Sequence, residues 1–171
     1  MTELPYLTGL PALAQPGCRI LILGSMPSQQ SLAEHQYYAH PRNQFWPLMQ
    51  QIFDLSASGS YPERCQALMT AGIALWDVIG QCQRPGSLDS AIVKHSVRFN
   101  DLAGFYLQYP TLQQIWLNGG KALQCYRQYQ GSLPVEQARL LDALPCRPLP
   151  SSSPAHASLS FADKLALWQP S

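Results

Sequence analysis

Residues 20–28 have the sequence Ile-Leu-Ile-Leu-Gly-Ser-Met-Pro-Ser, in which four apolar side chains are followed at once by small and turn-forming ones. A short apolar run that ends in glycine and proline is typical of a strand buried on both of its faces. We therefore predict a strand over residues 19–23, with bare backbone N–H groups in the turn that follows it. In open α/β folds, ligands bind at this carboxyl edge of the sheet.

Predicted strands and helices alternate along the rest of the chain. Three further apolar runs predict strands at residues 73–79, 112–117 and 146–149. Helical spacing of apolar residues and capping residues predict helices at 44–53, at 62–71, from a cap at Asn100 or Asp101 to Tyr109, at 121–129 and at 161–168. This alternation indicates a three-layer α/β/α sandwich with a small, mainly parallel four-stranded sheet.

Segments rich in proline, glycine and serine separate these elements. They predict an irregular lead-in over residues 1–18 and loops over 24–43, 80–89 and 150–154. The loop over 24–43 exceeds the length of about 12–15 residues beyond which structureless loops in compact domains are usually functional. A chain of 171 residues is long enough to bury a sizeable core, and we expect one domain over residues 1–171.

The composition argues against membrane, secreted and metal-binding classes of protein. No apolar run approaches the roughly 20 residues that span a bilayer, and residues 1–5 lack the basic and apolar regions of a signal peptide. The five cysteines form no Cys-x-x-Cys pair, so neither a zinc site nor an iron–sulfur cluster is indicated. We expect a cytoplasmic monomer with no membrane partner, no metal and no organic cofactor.

The charge of the chain limits the kind of nucleic-acid binding that it could show. A net charge of +1, with 12% charged residues, is a weak electrostatic signal for a nucleic-acid partner. It argues against tight non-specific binding. It is compatible with an enzyme that holds only a few phosphates through backbone amides and hydroxyl groups.

A second informative stretch lies at residues 37–46 and has the sequence Tyr-Tyr-Ala-His-Pro-Arg-Asn-Gln-Phe-Trp. It crowds aromatic rings, an imidazole, a guanidinium and a carboxamide into one short segment. Aromatic faces stack on flat rings, and carboxamide and imidazole groups hydrogen-bond to ring edges. Together with the turn at 24–28, this stretch predicts a pocket for a planar, hydrogen-bonding ligand.

The two stretches together, Gly-x-x-Pro-Ser at 24–28 and Tyr-Ala-His-Pro-Arg-Asn-x-Phe-Trp at 38–46, resemble the uracil-DNA glycosylase superfamily. The resemblance is closest to its hypoxanthine-DNA glycosylases and its mismatch-specific uracil/thymine branch. It continues through Asn-Gly-Gly-Lys-Ala at 118–122 and Pro-Ser-Ser-Ser-Pro-Ala-His-Ala at 150–157, and so covers most of the chain in order. It implies a monofunctional DNA glycosylase that flips a deaminated base out of double-stranded DNA and hydrolyses its N-glycosidic bond.

Two departures from the uracil enzymes favour hypoxanthine as the base. In the mismatch-specific branch, the third residue of the first motif is an asparagine that positions the attacking water, and here that residue is Met26. In the uracil enzymes the second motif begins with His or Asn, and here that position is Leu149. The hypoxanthine branch is similar in relying on the asparagine of its His-Pro-Arg-Asn segment, which is Asn43 here.

The resemblance implies a role for each segment of the site. Asn43 would orient the attacking water, and Tyr38 would stack on the flipped base. The base pocket would be formed by Gly24, Ser25, Met26, Pro27, Ser28, Tyr38, His40 and Phe45. The serine-rich loop would contact the DNA backbone through Ser151, Ser152, Ser153 and His156.

Other interpretations of these residues stay open. Asn43 could instead cap the helix that follows it, and His40 could order its loop. Asp77, at the end of a predicted strand, could be a catalytic carboxylate, an N-cap or a structural partner for Arg84. A serine nucleophile system with His156 has no Gly-x-Ser-x-Gly elbow to support it. The alternative functions are a uracil/thymine mismatch-specific glycosylase and a non-catalytic module that binds damaged DNA or a nucleotide.

Overall fold

Strands and helices alternate along the residues that the computed structural model describes, which are 2–56 and 59–170. The strands are β1 (Tyr6–Thr8), β2 (Ile20–Gly24), β3 (Ile73–Asp77), β4 (Ile79–Gln83), β5 (Arg98–Phe99), β6 (Gln114–Asn118) and β7 (Cys146–Leu149). The helices are α1 (Gln29–Glu34), α2 (Phe45–Ile52), α3 (Tyr61–Thr70), α4 (Leu102–Gln108), α5 (Gly120–Ser132), α6 (Val135–Asp142) and α7 (Phe161–Trp168). Two short 3-10 turns lie at Asp89–Ala91 and Lys94–Ser96.

The main sheet has four parallel strands in the order β3-β2-β6-β7. Its carboxyl ends are in register, because Gly24 of β2 pairs with Asp77 of β3 and Asn118 of β6 pairs with Leu149 of β7. The predicted parallel four-stranded sheet is therefore confirmed. Polar and small residues from three different strands meet at its carboxyl edge.

Helices cover both faces of this sheet. Leu21 and Leu23 belong to a core cluster with residues of α4, α5 and α6, whereas Ile22 belongs to a cluster with residues of α2, α3 and α7. Successive side chains of a strand point to opposite faces, so the predicted α/β/α layers are confirmed. Because both faces are buried, β2 is apolar without alternation.

A second, antiparallel sheet of order β1-β4-β5 was not predicted. The prediction that residues 1–18 form an irregular lead-in is wrong, because they contain β1 and because Leu13 forms a β-bridge with Leu75. The strand predicted over 73–79 divides at Val78, and β4 occupies the start of the predicted loop over 80–89. Strands of three residues, such as β1, are too short to show a periodic pattern, and β1 pairs with residues more than seventy positions away.

Capping residues account for most of the helix starts. Ser60, Asp101 and Ser160 accept backbone hydrogen bonds at the starts of α3, α4 and α7. The predicted helices at 44–53, 62–71, 121–129 and 161–168 are confirmed, as is the one that Asp101 caps. Two helices were missed: α6, which follows Pro134, and α1, which lies inside the predicted loop over 24–43 and begins at the cap Ser28. Within the described residues, no helix has both the length and the apolar composition to cross a bilayer.

Candidate active site

A cavity of about 700 Å³ opens at the carboxyl edge of the main sheet, beyond the ends of β2, β3 and β6. Its walls come from the turn after β2 and α1, from the segment before α2, from residues 87–90 and from the serine-rich loop. The predicted site residues that line it are Gly24, Ser25, Met26, Pro27, Ser28, Tyr38, His40, Asn43, Ser151, Ser152, Ser153 and His156. Segments far apart in sequence thus converge on one cavity.

Phe45 does not line the cavity and is the exception among the predicted pocket residues. Its side chain is fully buried and stacks on the Tyr38 ring, with 4.0 Å between ring centroids and 24° between ring planes. Phe45 therefore supports the Tyr38 ring from behind. The prediction that it forms a wall of the base pocket is wrong, because α2 turns its side chain into the core.

Tyr38 is held in an unusual backbone conformation. Its φ of 55° lies in the left-handed region, which costs a non-glycine residue about 1–3 kcal/mol. Both neighbours are anchored: Ala39 N donates to Ser31 Oγ at 3.1 Å, and Tyr37 N donates to Tyr61 Oη at 2.9 Å. These contacts hold the Tyr38 ring at the cavity wall in the free protein.

The floor of the cavity is formed where β2 and β3 end. Asp77 is 4% exposed, and its Oδ2 atom is buried with no hydrogen-bond partner among the described residues. A Cβ atom at Gly24 would lie 2.5 Å from Asp77 Oδ1 and 3.1 Å from Tyr38 Oη. Glycine is therefore required at position 24 to leave room for both oxygen atoms.

Burial changes the protonation of the groups at this floor. Burial, followed by repulsion from the Asp89 carboxylate, raises the pKa of Asp77 to about 7, against a smaller lowering by Arg84. Burial and the nearby Asp77 raise the pKa of the Tyr38 hydroxyl above its ordinary value. Tyr38 therefore stays neutral, whereas Asp77 is divided between its neutral and ionised forms near neutral pH.

Asn43 combines a helix-start contact with a place in the cavity wall. Its Oδ1 accepts a hydrogen bond from Phe45 N at 2.9 Å, while the adjacent Gln44 side chain makes no capping bond to α2. The structure thus shows the capping interaction that was the alternative interpretation. The Nδ2 group and the second lone pair of Oδ1 stay available to a ligand, so the two roles are compatible.

His40 contributes mainly to the shape of its loop. Its Nδ1 accepts a hydrogen bond from Arg42 N at 3.1 Å, and its backbone carbonyl accepts one from Asn43 N at 2.9 Å. These contacts close a turn that points Asn43 at the cavity. The geometry favours the loop-ordering interpretation of this histidine.

The serine-rich loop is fixed to the sheet through Ser152. Its backbone N donates to Asn118 Oδ1 at 2.9 Å, and its hydroxyl accepts from Asn118 Nδ2 at 3.0 Å. Its carbonyl accepts from Gln44 N at 3.0 Å. Ser152 is thus a buried link rather than a surface contact, whereas Ser151, Ser153 and His156 are only half-buried.

The remaining wall was missed by sequence reasoning. Ser25 donates through its hydroxyl to Asp89 Oδ1 at 2.7 Å, and Gln29 N donates to Ser87 Oγ at 2.9 Å. The buried Arg84 side chain donates to the carbonyls of Pro27 and Gly86 at 2.7 and 2.8 Å. Arg84 therefore fastens this loop to the turn after β2, and no hydrogen bond joins it to Asp77 among the described contacts.

Two further lining residues, Asp77 and Asn118, end strands at the cavity. The sequence indicates Asp77 as a candidate carboxylate at a strand end, and it places Asn118 only in the Asn-Gly-Gly-Lys-Ala segment. A polar side chain that directly follows a buried apolar run is the signal that identifies both as site residues. In the part of the chain that the structure describes, no cluster of three or more His, Cys, Asp or Glu side chains could hold a metal ion.

A family model and two relatives that are similar to this chain all carry the names of DNA glycosylases. The family model described as the uracil DNA glycosylase superfamily matches residues 11–169. A hypoxanthine DNA glycosylase from Methanosarcina acetivorans is 38% identical over 115 residues, which are 67% of this chain and 72% of the relative. A hypoxanthine DNA glycosylase from Methanosarcina barkeri is 37% identical over 116 residues, with the same coverage of 67% and 72%.

A solved structure is similar over nearly the whole chain. It is a solution NMR structure from Methanosarcina acetivorans of a protein described as a candidate uracil DNA glycosylase. The similarity has a TM-score of 0.77 at 31% sequence identity and covers 95% of this chain and 94% of the other. The layered fold therefore recurs in that protein.

Proposed function

The chain belongs to the uracil DNA glycosylase superfamily, and we propose that it removes hypoxanthine from DNA by hydrolysing the N-glycosidic bond of a flipped-out deoxyinosine. The observation that carries the proposal is the shared cavity of Tyr38 and Asn43, a stacking ring and a water-orienting carboxamide. The names of the two curated relatives support the choice of base. A volume of about 700 Å³ is in the range of sites that enclose small ligands and suits a nucleotide.

In the proposed reaction, the flipped nucleotide stacks its base on Tyr38. Flipping costs a few kcal/mol and is cheapest at a mispaired base. Asn43 orients a water molecule toward C1′ of the deoxyribose, and the C1′–N9 bond breaks as the new C1′–O bond forms. A neutral carboxamide suffices for this step, because preorganised hydrogen bonds stabilise the developing charge without a strong base.

The choice of hypoxanthine over uracil is supported by the two departures from the uracil enzymes. Met26 lines the cavity at the position where the mismatch-specific enzymes carry asparagine, and a thioether cannot orient water for attack. Leu149 is buried in the core cluster that contains Trp116 and Trp168, and it is not among the residues that line the cavity. Neither position offers the polar group that the uracil enzymes use.

We propose a monofunctional enzyme that releases the base without cutting the strand. Among the described residues that line the cavity there is no lysine that could form a Schiff base with the sugar. Ser151, Ser153 and His156 are the proposed contacts to the DNA backbone. We also propose that the enzyme acts on double-stranded DNA as a cytoplasmic monomer, because segments of one chain form the walls of the cavity.

The test is a single-turnover glycosylase assay on otherwise identical duplexes that carry one deoxyinosine or one deoxyuridine. We expect free hypoxanthine and an abasic site from the first duplex, faster than uracil release from the second, with no strand cleavage before alkali treatment. Faster release of uracil would keep the enzyme class and overturn the base assignment. Binding to the lesion without release of either base would indicate a binding module.

The floor of the cavity provides a separate prediction. Gly24→Ala places a methyl group 2.5 Å from Asp77 Oδ1, so the carboxyl group or the Tyr38 ring must shift. Misplacement of reacting groups by about 1 Å costs on the order of 100-fold in rate, and we expect a loss of this size in single-turnover hypoxanthine release.

The matched control for this change is Gly131→Ala. Gly131 lies in α5, and a Cβ atom there meets nothing within 4 Å. Since alanine favours a helix over glycine by about 1 kcal/mol, this variant should be at least as stable as the wild type and fully active. Equal activity of the two variants would contradict the steric role of Gly24.

A further inference from the structure

The proposed hydrolysis leaves one charge unaccounted for. When the C1′–N9 bond breaks, the purine departs with both electrons of that bond, and Asn43 acts on the water rather than on the base. A purine leaves far more readily when a hydrogen-bond donor or a proton neutralises its ring. A donor group in the same cavity would complete the site.

We propose that Asp77, as a neutral carboxylic acid, is the general acid that protonates the departing hypoxanthine at its N7 and O6 edge. This inference rests on the proposed glycosylase function. It assigns a catalytic role to a residue at the floor of the cavity. Asp77 would act on the departing base, whereas Asn43 acts on the attacking water. The specificity for a purine then comes partly from the acceptors that its Hoogsteen edge offers to a donor.

Asp77 has a carboxyl oxygen at the floor of the cavity without a hydrogen-bond partner in the part of the chain that the structure describes. The residue lines the cavity, yet its Oδ2 atom is buried and makes no hydrogen bond to any described residue. A buried polar atom without a partner is unfavourable, and the acceptor of a bound base would relieve that cost. The absence of a side chain at Gly24 leaves room for both the Asp77 carboxyl group and the Tyr38 hydroxyl.

The groups that face Asp77 keep its neutral form accessible. Asp89, from the 3-10 turn, repels the ionised form, and Arg84, beyond β4, attracts it more weakly. Tyr37 and Tyr38, from the segment before α2, stay neutral because burial raises the pKa of each hydroxyl. With the pKa of Asp77 raised to about 7, the group can both release a proton and regain one near neutral pH.

The step balances in atoms and charge. The C1′–N9 electron pair passes to the purine, and the O–H bond of Asp77 breaks as its proton moves to N7. The water oxygen forms the C1′–O bond and its excess proton passes to solvent. After the base has left, the Asp77 carboxylate takes one proton from solvent, so the net reaction consumes one water molecule.

The experiment compares the pH dependence of single-turnover hypoxanthine release between about pH 5.5 and 9 in wild type and Asp77→Asn. Asparagine keeps the shape and a hydrogen bond but cannot give up a proton. For the wild type we expect a constant rate at low pH that falls about tenfold per pH unit above the pKa of about 7. Asp77→Asn should be at least about 100-fold slower at low pH and show no such fall.

Two further variants provide a matched control and an independent test. Asp142→Asn, an exposed site on α6 outside the cavity, should match the wild type in rate and pH profile. Asp89→Asn retains an acceptor for Ser25 but removes the charge that repels ionised Asp77, so the fall in rate should begin at lower pH. This second variant tests the proposal even if Asp77→Asn fails to fold.

The outcomes separate this inference from the proposed function. A wild type that releases hypoxanthine, with an Asp77→Asn variant of equal rate and profile, would overturn the role of Asp77 and leave the function intact. A wild-type rate that rises through neutral pH and loses this rise in Asp77→Asn would mean that the ionised carboxylate accepts the N1–H of the base. No hypoxanthine release by the wild type would overturn the proposed function itself.

Discussion

Asn43→Ala is expected to lower the single-turnover rate of hypoxanthine release by at least about 10²–10³-fold, the usual cost of removing one preorganised polar group from a reaction centre. The remaining lone pair of Oδ1 and the Nδ2 group of Asn43 are the polar atoms proposed to hold the attacking water. Without them the water loses its orientation toward C1′. The measurement is hypoxanthine release from a deoxyinosine duplex, with binding to the same duplex measured in parallel.

The contact from Phe45 N to Asn43 Oδ1 makes a control necessary, since alanine also removes this helix-start hydrogen bond. Losing such a cap costs about 1 kcal/mol of stability. Asn43→Ser keeps a side-chain acceptor for Phe45 N but lacks the carboxamide, so it should be nearly as stable as the wild type and as inactive as Asn43→Ala. A serine variant with wild-type activity would reduce Asn43 to a capping residue.

Trp168→Ala is expected to lower the free energy of unfolding by about 3–5 kcal/mol, the range for deleting a large buried aromatic side chain. Trp168 is 0% exposed, and its ring packs edge-on against Phe45 and Trp116 at centroid distances of 6.4 and 6.3 Å. Its Nε1 also donates to Pro150 O at 2.9 Å. The change therefore leaves a cavity and an unpaired carbonyl at the base of the serine-rich loop.

The neighbouring residue offers the matched control for this loss. Leu167 is 51% exposed on the same helix, and Leu167→Ala should change the free energy of unfolding by no more than about 0.5 kcal/mol. Urea denaturation followed by far-ultraviolet circular dichroism measures both variants without relying on tryptophan fluorescence. Equal losses in the two variants would show that α7 does not depend on Trp168 for its attachment.

The sheet and its functional edge were predictable because they depend on local patterns. The unbroken apolar run of β2, ended by glycine and proline, indicated a doubly buried strand, and the small residues after it marked the edge where ligands bind. Asp101, one of the two predicted caps, indicated a helix start by the same local logic. These signals need no knowledge of which segments meet in space.

What could not be predicted depends on long-range pairing. β1 gains its structure only from β4, and nothing within its three residues indicates a partner. The sequence placed Asp77 at a strand end but left its role open, because that role depends on Gly24, Asp89 and burial, which the fold brings together. Phe45 was predicted to line the pocket because it lies in the same short motif as Tyr38 and Asn43. The direction of α2 instead turns its side chain into the core.

The three hydrogen bonds of Ser152 have a consequence for how this protein can change during evolution. Because Ser152 fixes the serine-rich loop to Asn118 and to Gln44, the loop's position and that of the neighbouring Asn43 are set together from inside the fold. The half-buried Ser151 and Ser153 can then be exchanged, and the fit to a DNA strand retuned, without displacing the residue proposed to act on water. Substitution at position 152 should accordingly displace the loop and Asn43 together, whereas substitution at 151 or 153 should leave Asn43 in place.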